Sequence, residues 1–241
     1  MYMASLKFAA SIAVSLLGTP IQAHAEAVRE PILIAVVDTG VAEVGPLVGH
    51  VVESYDMVRP ERPRTELKSF HGTAVAGVIA LNMKRPYGII SMRVDSVGRC
   101  SGIDCITKGD AIAASIVKAT DLGASVVQVS SAGKMGRRVR QAVLYAISKN
   151  VKVVFAAGND GGLPIALAIT KKDETGLEVV GSLDADGGKS KFSCRPRRQD
   201  ARFSWRPGVS VPTIGLDGLP TTQTGTSFAA PIRAAEIANA M

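Results

Sequence analysis

The chain has 241 residues, of which 46% are hydrophobic and 20% are charged, and this composition is that of a folded globular protein and excludes a disordered one. The formal net charge is +7, but the basic residues are scattered and no basic stripe with interleaved aromatic residues is visible, so the sequence does not indicate a partnership with nucleic acid. Twenty-four glycines against six Phe and four Tyr predict a tightly turned core of Val, Ile, Leu and Ala.

The first 25 residues are typical of an export signal. Lys7 is the only charged residue ahead of an apolar run at 8–17, which has about half of the ~20 residues that a membrane span needs. Residues 23–25 (AHA) then give the small-x-small pattern that a signal peptidase cleaves, which an uncleaved anchor does not need. The sequence therefore predicts a signal peptide at 1–25 and a mature domain at 26–241, secreted or periplasmic and without membrane contact after cleavage.

Beyond this segment, short apolar runs alternate with stretches of helical character. The predicted strands are 30–38, 87–94, 125–130, 151–157 and 177–183. The predicted helices are 71–83, 108–122, 136–150 and a final one from Thr226 or Ser227. Mostly apolar strands that alternate with helices of about a dozen residues indicate an α/β domain with a mainly parallel sheet covered on both faces.

Two histidines lie outside the signal segment, so an imidazole base must be His50 or His71. His71 opens a segment of small residues, 71–77 (HGTAVAG), whose glycines allow a helix to lie close to other backbone. Asp38 ends the first predicted strand, in 36–40 (VVDTG), where a carboxylate can orient a base by accepting a hydrogen bond. The Asp-Thr-Gly triplet also occurs in aspartic proteases, but those need a second triplet or a small dimerising subunit, and this chain has neither.

Ser227 stands at the start of the last predicted helix, in 224–231 (TGTSFAAP). Backbone N–H groups are free at a helix start and the helix dipole favours negative charge there, which suits a nucleophile beside a developing oxyanion. The alternative is that Thr226 or Ser227 is only a helix cap, because both residue types are favoured at that position. Similarly, Asn159 alone is typical of a turn residue before Asp160 and two glycines.

Taken together, these segments resemble the subtilisin-like serine protease family, in which Asp, His and Ser follow one another in this chain order. The resemblance covers residues 32–232 and rests on four blocks in order: 37–40, 71–77, 154–160 (VFAAGND) and 225–231. It implies a three-layer subtilisin-like α/β fold with a mainly parallel central sheet flanked by helices. It also implies a secreted serine endopeptidase that acts through an acyl-enzyme intermediate. We expect no cofactor, and we assign no metal site because the carboxylates are not clustered at a spacing that indicates calcium.

The resemblance assigns a role to each matching residue. The catalytic triad is Asp38, His71 and Ser227, and Asn159 supplies the oxyanion-hole side chain. The polypeptide substrate lies in a cleft. The primary specificity pocket of this cleft has two walls, and each wall is formed by a different segment of the chain. The residues that match these walls are Ser130, Ser131, Ala132 and Gly133 on one side and Ala156, Ala157 and Gly158 on the other. Gly102 belongs to a segment similar to the second peptide-pairing edge.

Three cysteines fit an exported protein, in which disulfides persist. Cys100 and Cys105 lie close enough in the chain for a small local disulfide, which would stiffen the loop beside the cleft and contribute little to global stability. Cys194 is then left over and is expected to be free and buried.

Two features depart from the family pattern. Only residues 26–31 separate the predicted cleavage site from the first strand, where relatives carry an inhibitory pro-region, so a pro-region or chaperone acting in trans is a candidate partner. The chain also ends 14 residues after Ser227, and Arg233 stands where the family has an apolar residue, so an unpaired buried charge would be costly there.

These departures keep a second hypothesis open, a subtilisin-like binding or regulatory module with weak or no proteolytic activity. A different exported hydrolase, such as an esterase, is a third hypothesis. It is disfavoured because the Gly-x-Ser-x-Gly elbow of those enzymes does not surround Ser227.

Overall fold

The computed structural model describes residues 30–61, 69–95, 108–131, 135–172 and 174–241. The predicted signal segment lies outside these ranges. Five residues named in the sequence analysis also lie outside them: Cys100, Gly102, Cys105, Ala132 and Gly133. Among the helices of the described ranges, none is long and apolar enough to cross a membrane.

A seven-stranded parallel sheet forms the centre of the molecule, in the order β2-β3-β1-β4-β5-β6-β7. Its strands are β1 (Ile32–Asp38), β2 (Val51–Asp56), β3 (Tyr87–Arg93), β4 (Val126–Val129), β5 (Lys152–Ala156), β6 (Leu177–Leu183) and β7 (Phe203–Pro207). An antiparallel pair follows, β8 (Val211–Ile214) and β9 (Pro220–Gln223). The predicted parallel α/β sheet is confirmed, whereas β2, β7, β8 and β9 were not predicted.

Four helices cover the two faces of the sheet. They are α1 (Phe70–Asn82), α2 (Lys108–Asp121), α3 (Arg137–Ser148) and α4 (Thr226–Asn239), each within one or two residues of its predicted start. Helix α3 ends where expected, because Asn150 adopts the left-handed conformation (φ 62°) that commonly follows a helix.

Strand β1 separates two hydrophobic cores. Ile34 and Val36 pack on the face covered by α1 and α4, whereas Ala35 and Val37 pack on the face covered by α2 and α3. This division follows from the alternation of side chains along a strand. Because both faces of the sheet are buried at β1, the sequence of this strand is a nearly continuous apolar run.

The strand order reverses beside β1, which lies between β3 and β4. In parallel sheets a crevice opens at such a reversal, outside the carboxyl ends of the strands. Asp38 ends β1, Ser130 follows β4, and Asn159 follows β5 after two further residues. The topology therefore brings three of the singled-out residues to one edge of the sheet.

Helix α1 is buried from Gly72 to Ile79, which is why it lacks the apolar stripe of a surface helix. A Cβ atom added at Gly72 would overlap the carbonyl oxygen of Gly40, and one at Gly77 would lie 2.6 Å from Thr213 Oγ1. The two glycines thus allow α1 to approach the end of β1 and the β8–β9 pair closely.

Arg233 of α4, where an unpaired buried charge would be costly, is paired and only partly buried. Its guanidinium is 28% exposed and forms hydrogen bonds of 2.6 and 2.7 Å with Glu178 of β6. It also contacts Glu236, which in turn pairs with Arg206 of β7. Hydrogen bonding to Glu178 is the largest cause of the raised pKa of Arg233. These ion pairs form a charged cluster that holds α4 to β6 and β7.

Candidate functional site

Asp38 and His71 are joined at the carboxyl end of β1. His71 Nδ1 lies 2.7 Å from Asp38 Oδ1, which also accepts a hydrogen bond from the Thr39 N–H at 2.7 Å. The Asp38 side chain is 1% exposed and that of His71 is 37% exposed. The pair thus has a buried acceptor and a ring that reaches the surface.

The backbone around Asp38 is fixed from both sides. The Gly72 N–H donates to Thr39 Oγ1 at 3.0 Å, which ties the first turn of α1 to the end of β1. Arg93 Nε donates to the Thr39 carbonyl at 3.1 Å, and the Val94 N–H donates to the Asp38 carbonyl at 2.8 Å. These contacts determine where His71 meets Asp38.

The pKa of His71 is raised above the ordinary value of a histidine. Burial is the largest single influence and lowers this pKa, but the hydrogen bond and the negative charge of Asp38 together outweigh it. Asp38 therefore stabilises the imidazolium form. With Nδ1 donating to Asp38, the neutral ring presents Nε2 as a proton acceptor.

The amide of Asn159 has a defined orientation. Its Oδ1 accepts hydrogen bonds from the Thr226 N–H and from Thr226 Oγ1, each at 2.9 Å. A backbone N–H can only donate, so the oxygen must face Thr226 and the NH2 group must face away. Thr226 Oγ1 also accepts from the Gly158 N–H at 3.1 Å, which joins the loop after β5 to the start of α4.

Ser227 is the second residue of α4 and is half-buried. Its carbonyl accepts a hydrogen bond from Ser130 Oγ at 2.9 Å, and Ser130 Oγ in turn accepts one from Gln128 Nε2. The ring of the next residue, Phe228, lies 5.4 Å from the ring of His71. The first turn of α4 thus contacts both the end of β4 and the histidine.

A cavity of about 430 Å³ opens beside Ser227, and we call it the site cavity. Of the sequence-predicted residues, it is lined by Ser130, Ser131, Ala156, Ala157, Gly158, Asn159 and Ser227. Sequence reasoning missed its further lining residues Met135, Asp160, Leu163, Ile165, Ala166, Cys194 and Thr226. The sequence gave no signal for Leu163 and Ile165, because they belong to a largely apolar stretch, and only the structure shows that both side chains are exposed.

Cys194 lies at the wall of this cavity and is free and buried, as predicted. Its Sγ donates to Asp160 Oδ1 at 2.7 Å, and a Cβ atom at Gly158 (φ 108°) would lie 2.9 Å from that sulfur. Burial, and then the hydrogen bond to Asp160, raise the pKa of the Cys194 thiol. The thiol therefore stays protonated at neutral pH and is a poor nucleophile.

Comparison with known proteins gives a consistent result. The sequence model of the subtilase family matches residues 29–241. The chain is 32% identical to thermitase of Thermoactinomyces vulgaris over 203 residues, which are 82% of this chain and 70% of thermitase. It is 31% identical to a thermophilic serine proteinase of Bacillus sp. (strain AK1) over 82% of this chain and 49% of that protein, and so spans about half of that relative's length.

Solved structures share the fold. The protease domain of PatA, solved as a mutant, has a TM-score of 0.69 at 24% identity, covering 89% of this chain and 81% of that one. The nisin leader peptidase NisP from Lactococcus lactis has a TM-score of 0.66 at 19% identity, covering 87% of this chain and 77% of that one. These likenesses agree with the sheet order and helix layers described above.

Proposed function

The chain belongs to the subtilase family, and on this premise we propose that it is a serine endopeptidase with Asp38, His71 and Ser227 as its catalytic triad. The observation that carries the proposal is the 2.7 Å hydrogen bond between His71 Nδ1 and the buried Asp38 carboxylate. It gives His71 the tautomer of a general base, at the edge of the sheet where the first turn of α4 carries Ser227.

In the proposed reaction, Ser227 Oγ attacks the carbonyl carbon of the scissile peptide while His71 Nε2 takes the hydroxyl proton. Asp38 stabilises the imidazolium that forms and remains ionised. The imidazolium then gives its proton to the leaving amine nitrogen, and an ester between Ser227 and the acyl portion remains. Water attacks this ester while His71 accepts a proton from it, and the imidazolium then gives that proton to Ser227 Oγ as the bond to the acyl carbon breaks and the carboxylic acid is released.

The oxyanion of each tetrahedral intermediate would be bound by Asn159 Nδ2 and by the Ser227 N–H. Support comes from the orientation of the Asn159 amide, whose oxygen is occupied by Thr226 so that its NH2 group is left to donate. The Ser227 N–H belongs to the first turn of α4, where N–H groups lack partners within the helix and the dipole favours negative charge.

We assign the site cavity to a side chain of the polypeptide substrate. Its walls combine small residues, which leave room, with the apolar groups of Met135, Leu163 and Ile165. Ser130–Ser131 and Ala156–Gly158 line two sides of the cavity, and an extended peptide held between them partly through its main chain would tolerate many sequences. Export with removal of residues 1–25, and a pro-region or chaperone acting in trans, belong to the same proposal and rest on the sequence alone.

A fluorophosphonate probe tests the nucleophile directly. We expect one probe per chain in the wild type, because a serine activated by His71 attacks phosphorus as it attacks a carbonyl, and no labelling in Ser227→Ala. Intact mass spectrometry of the exported protein measures probe stoichiometry, and the same spectrum reports whether the chain begins at Glu26. The matched control is Ser148→Ala, which removes an exposed serine that has no base beside it. This variant should leave labelling unchanged.

Absence of labelling in a chain that is folded by circular dichroism would contradict the protease proposal. It would favour the binding or regulatory module, which keeps the fold and lacks turnover. Labelling that persists in Ser227→Ala would show that another residue is the nucleophile.

Replacing Asn159 with alanine is expected to lower kcat about 10²- to 10³-fold with little change in KM, because the amide acts on charge that develops in the transition state. Steady-state kinetics on a chromogenic peptide measures both constants. Gln141→Ala removes an exposed amide from α3 and should change neither. A rise in KM at constant kcat in Asn159→Ala would instead assign Asn159 to substrate binding.

A further inference from the structure

A second cavity, of about 630 Å³, lies beside the loop at Cys194 and Arg195, which also borders the site cavity. We call it the basic cavity, because its lining includes Lys189, Arg195, Arg197 and Arg198 together with the aromatic side chains of Phe203 and Trp205. Cys194 and Arg195 are adjacent in the chain, and they line the site cavity and the basic cavity respectively. The Arg195 N–H donates to the Gly162 carbonyl at 3.0 Å, which holds this loop against the loop of Asn159.

The basic cavity carries an excess of positive charge. Its four cationic side chains are exposed, and none forms an ion pair within the described part of the chain. Asp200 also lines the cavity, but it is neutralised by Arg202 at 2.8 Å, and both side chains are only 7% exposed.

The structure divides the basic run 195–206 into two groups. Arg202 and Arg206 are structural, since each is engaged by a carboxylate, Asp200 and Glu236 respectively. Among the residues that the structure describes, no carboxylate forms an ion pair with Arg195, Arg197 or Arg198, yet these arginines border a concave surface. Concentrated unpaired charge at a concavity favours an anionic ligand, because the field there is strongest and competing water is fewest.

The aromatic side chains narrow the class of ligand. Phe203 and Trp205 pack edge to face with ring centroids 5.0 Å apart, and Lys189 Nζ lies 5.1 Å from the Trp205 ring. Both rings are partly exposed, so they offer apolar surface between the cations. A short peptide with carboxylate side chains fits both properties: arginines bind carboxylates with bidentate hydrogen bonds, and the rings pack against the peptide's carbon atoms. Nucleic acid would need a longer basic stripe than this cavity provides.

We propose that the basic cavity binds a segment of the polypeptide substrate that is rich in Asp and Glu. The nature of the partner rests on the proposed protease function, whereas the preference for acidic side chains rests on the cavity itself. Since the two cavities share the loop at Cys194 and Arg195, a substrate seated in one extends readily to the other. The basic cavity would then select substrates by charge, outside the residues that perform the reaction.

Trp205 is the only tryptophan of the chain and lies in the cavity wall, so its fluorescence reports binding directly. We expect a short polyglutamate peptide to produce a saturable change in the full chain carrying Ser227→Ala, and a polyglutamine peptide of equal length to produce none. The double variant Arg197→Glu/Arg198→Glu should weaken polyglutamate binding about tenfold or more, and added salt should weaken it in the parent protein.

The matched control is Arg137→Glu/Lys149→Glu, which makes the same change in net charge at exposed positions in and just after α3, neither of which lines the basic cavity. Its affinity for polyglutamate should stay within about twofold of the parent. Equal weakening in both double variants, equal binding of polyglutamine, or no saturable change would overturn the proposal. Tighter binding of a single-stranded oligonucleotide than of polyglutamate would overturn it in favour of nucleic acid.

Activity provides a second readout in the wild-type background. A chromogenic peptide with a glutamate tail should show a lower KM than its glutamine counterpart, and Arg197→Glu/Arg198→Glu should abolish the difference while leaving hydrolysis of the glutamine peptide unchanged. Binding to Ser227→Ala needs no turnover, so polyglutamate binding without hydrolysis would reject the protease proposal and support the cavity. Hydrolysis without polyglutamate binding would reject the proposal for the basic cavity and support the protease proposal.

Discussion

Replacing Asp38 with asparagine is expected to lower kcat about 10⁴-fold and to move the acid limb of the pH–rate profile to lower pH. The rate falls because the neutral amide cannot stabilise the imidazolium as the carboxylate does. If the new NH2 group turns towards the ring, His71 Nδ1 becomes an acceptor and Nε2 carries the hydrogen. The ring then cannot take the proton of Ser227.

The pH shift follows from the forces on His71. In the wild type, the hydrogen bond and charge of Asp38 raise its pKa against the opposing effect of burial, so activity is lost as pH falls through a raised pKa. In Asp38→Asn burial remains and the charge is gone, so the pKa of His71 falls. The neutral base then survives to lower pH, although each molecule reacts slowly.

Measuring kcat/KM across the acidic and neutral range separates this role from simple loss of structure. Asp217→Asn is the matched control, because Asp217 is exposed in the turn before β9 and only accepts a hydrogen bond from the Leu219 N–H. It should change neither the rate nor the profile. A lower rate in Asp38→Asn with an unmoved acid limb would mean that Asp38 does not act through His71.

The strands at the centre of the sheet were predictable because they are buried on both faces. Residues of β1 and β5 alternate between two cores, so nearly every position is apolar and the run stands out in the sequence. The edge strands offered no such signal. The residues of β2 (VVESYD) are nearly all partly exposed, and β7 (FSWRP) is short, has no buried residue and ends in proline.

The pair β8–β9 was missed for a different reason. Its role is to cover α1, where Thr213 and Ile214 contact Gly77, and this contact joins residues far apart in the chain. Local pattern cannot reveal such a contact, because neither strand has a long apolar run. Only the packing of α1 on the sheet explains why the chain turns there.

Residues of the candidate site were predictable when the short segment of sequence around them indicates their chemical role. Asp38 and His71 were identified from their short segments and their chain order, and the structure joins them by a hydrogen bond. Cys194 and Thr226 were not assigned to the site, because nothing in their own segments shows that they bond to Asp160 and Asn159. The partner of Arg233 was not predictable either, since nothing around Arg233 indicates that it pairs with Glu178 of β6.

Replacing Arg93 with methionine is expected to lower the free energy of unfolding by about 3–5 kcal/mol. Arg93 Nη1 lies 2.7 Å from Asp56 Oδ2, and the two side chains are only 8% and 0% exposed. Methionine fills much of the volume but removes the Arg93 cation, so the buried Asp56 carboxylate loses this ion pair. Small domains have a total stability of about 5–15 kcal/mol, so the loss would be a large share of it.

Urea unfolding followed by circular dichroism measures this change, and Arg138→Met is the matched control. Arg138 forms an ion pair with Asp110 at 3.0 Å, but its side chain is 73% exposed, so water and salt screen the pair and the loss should stay below about 1 kcal/mol. Equal losses in the two variants would show that burial does not set the strength of the Arg93 pair.

Arg93 also connects stability to the candidate site, because its Nε donates to the carbonyl of Thr39, the residue after Asp38. In Arg93→Met that carbonyl loses its donor, and the turn that presents Asp38 to His71 is held less firmly. We therefore expect the folded fraction of Arg93→Met to react with the fluorophosphonate more slowly than the wild type, whereas Arg138→Met should react at the wild-type rate. Wild-type labelling of folded Arg93→Met would restrict the Arg93 pair to a purely structural role.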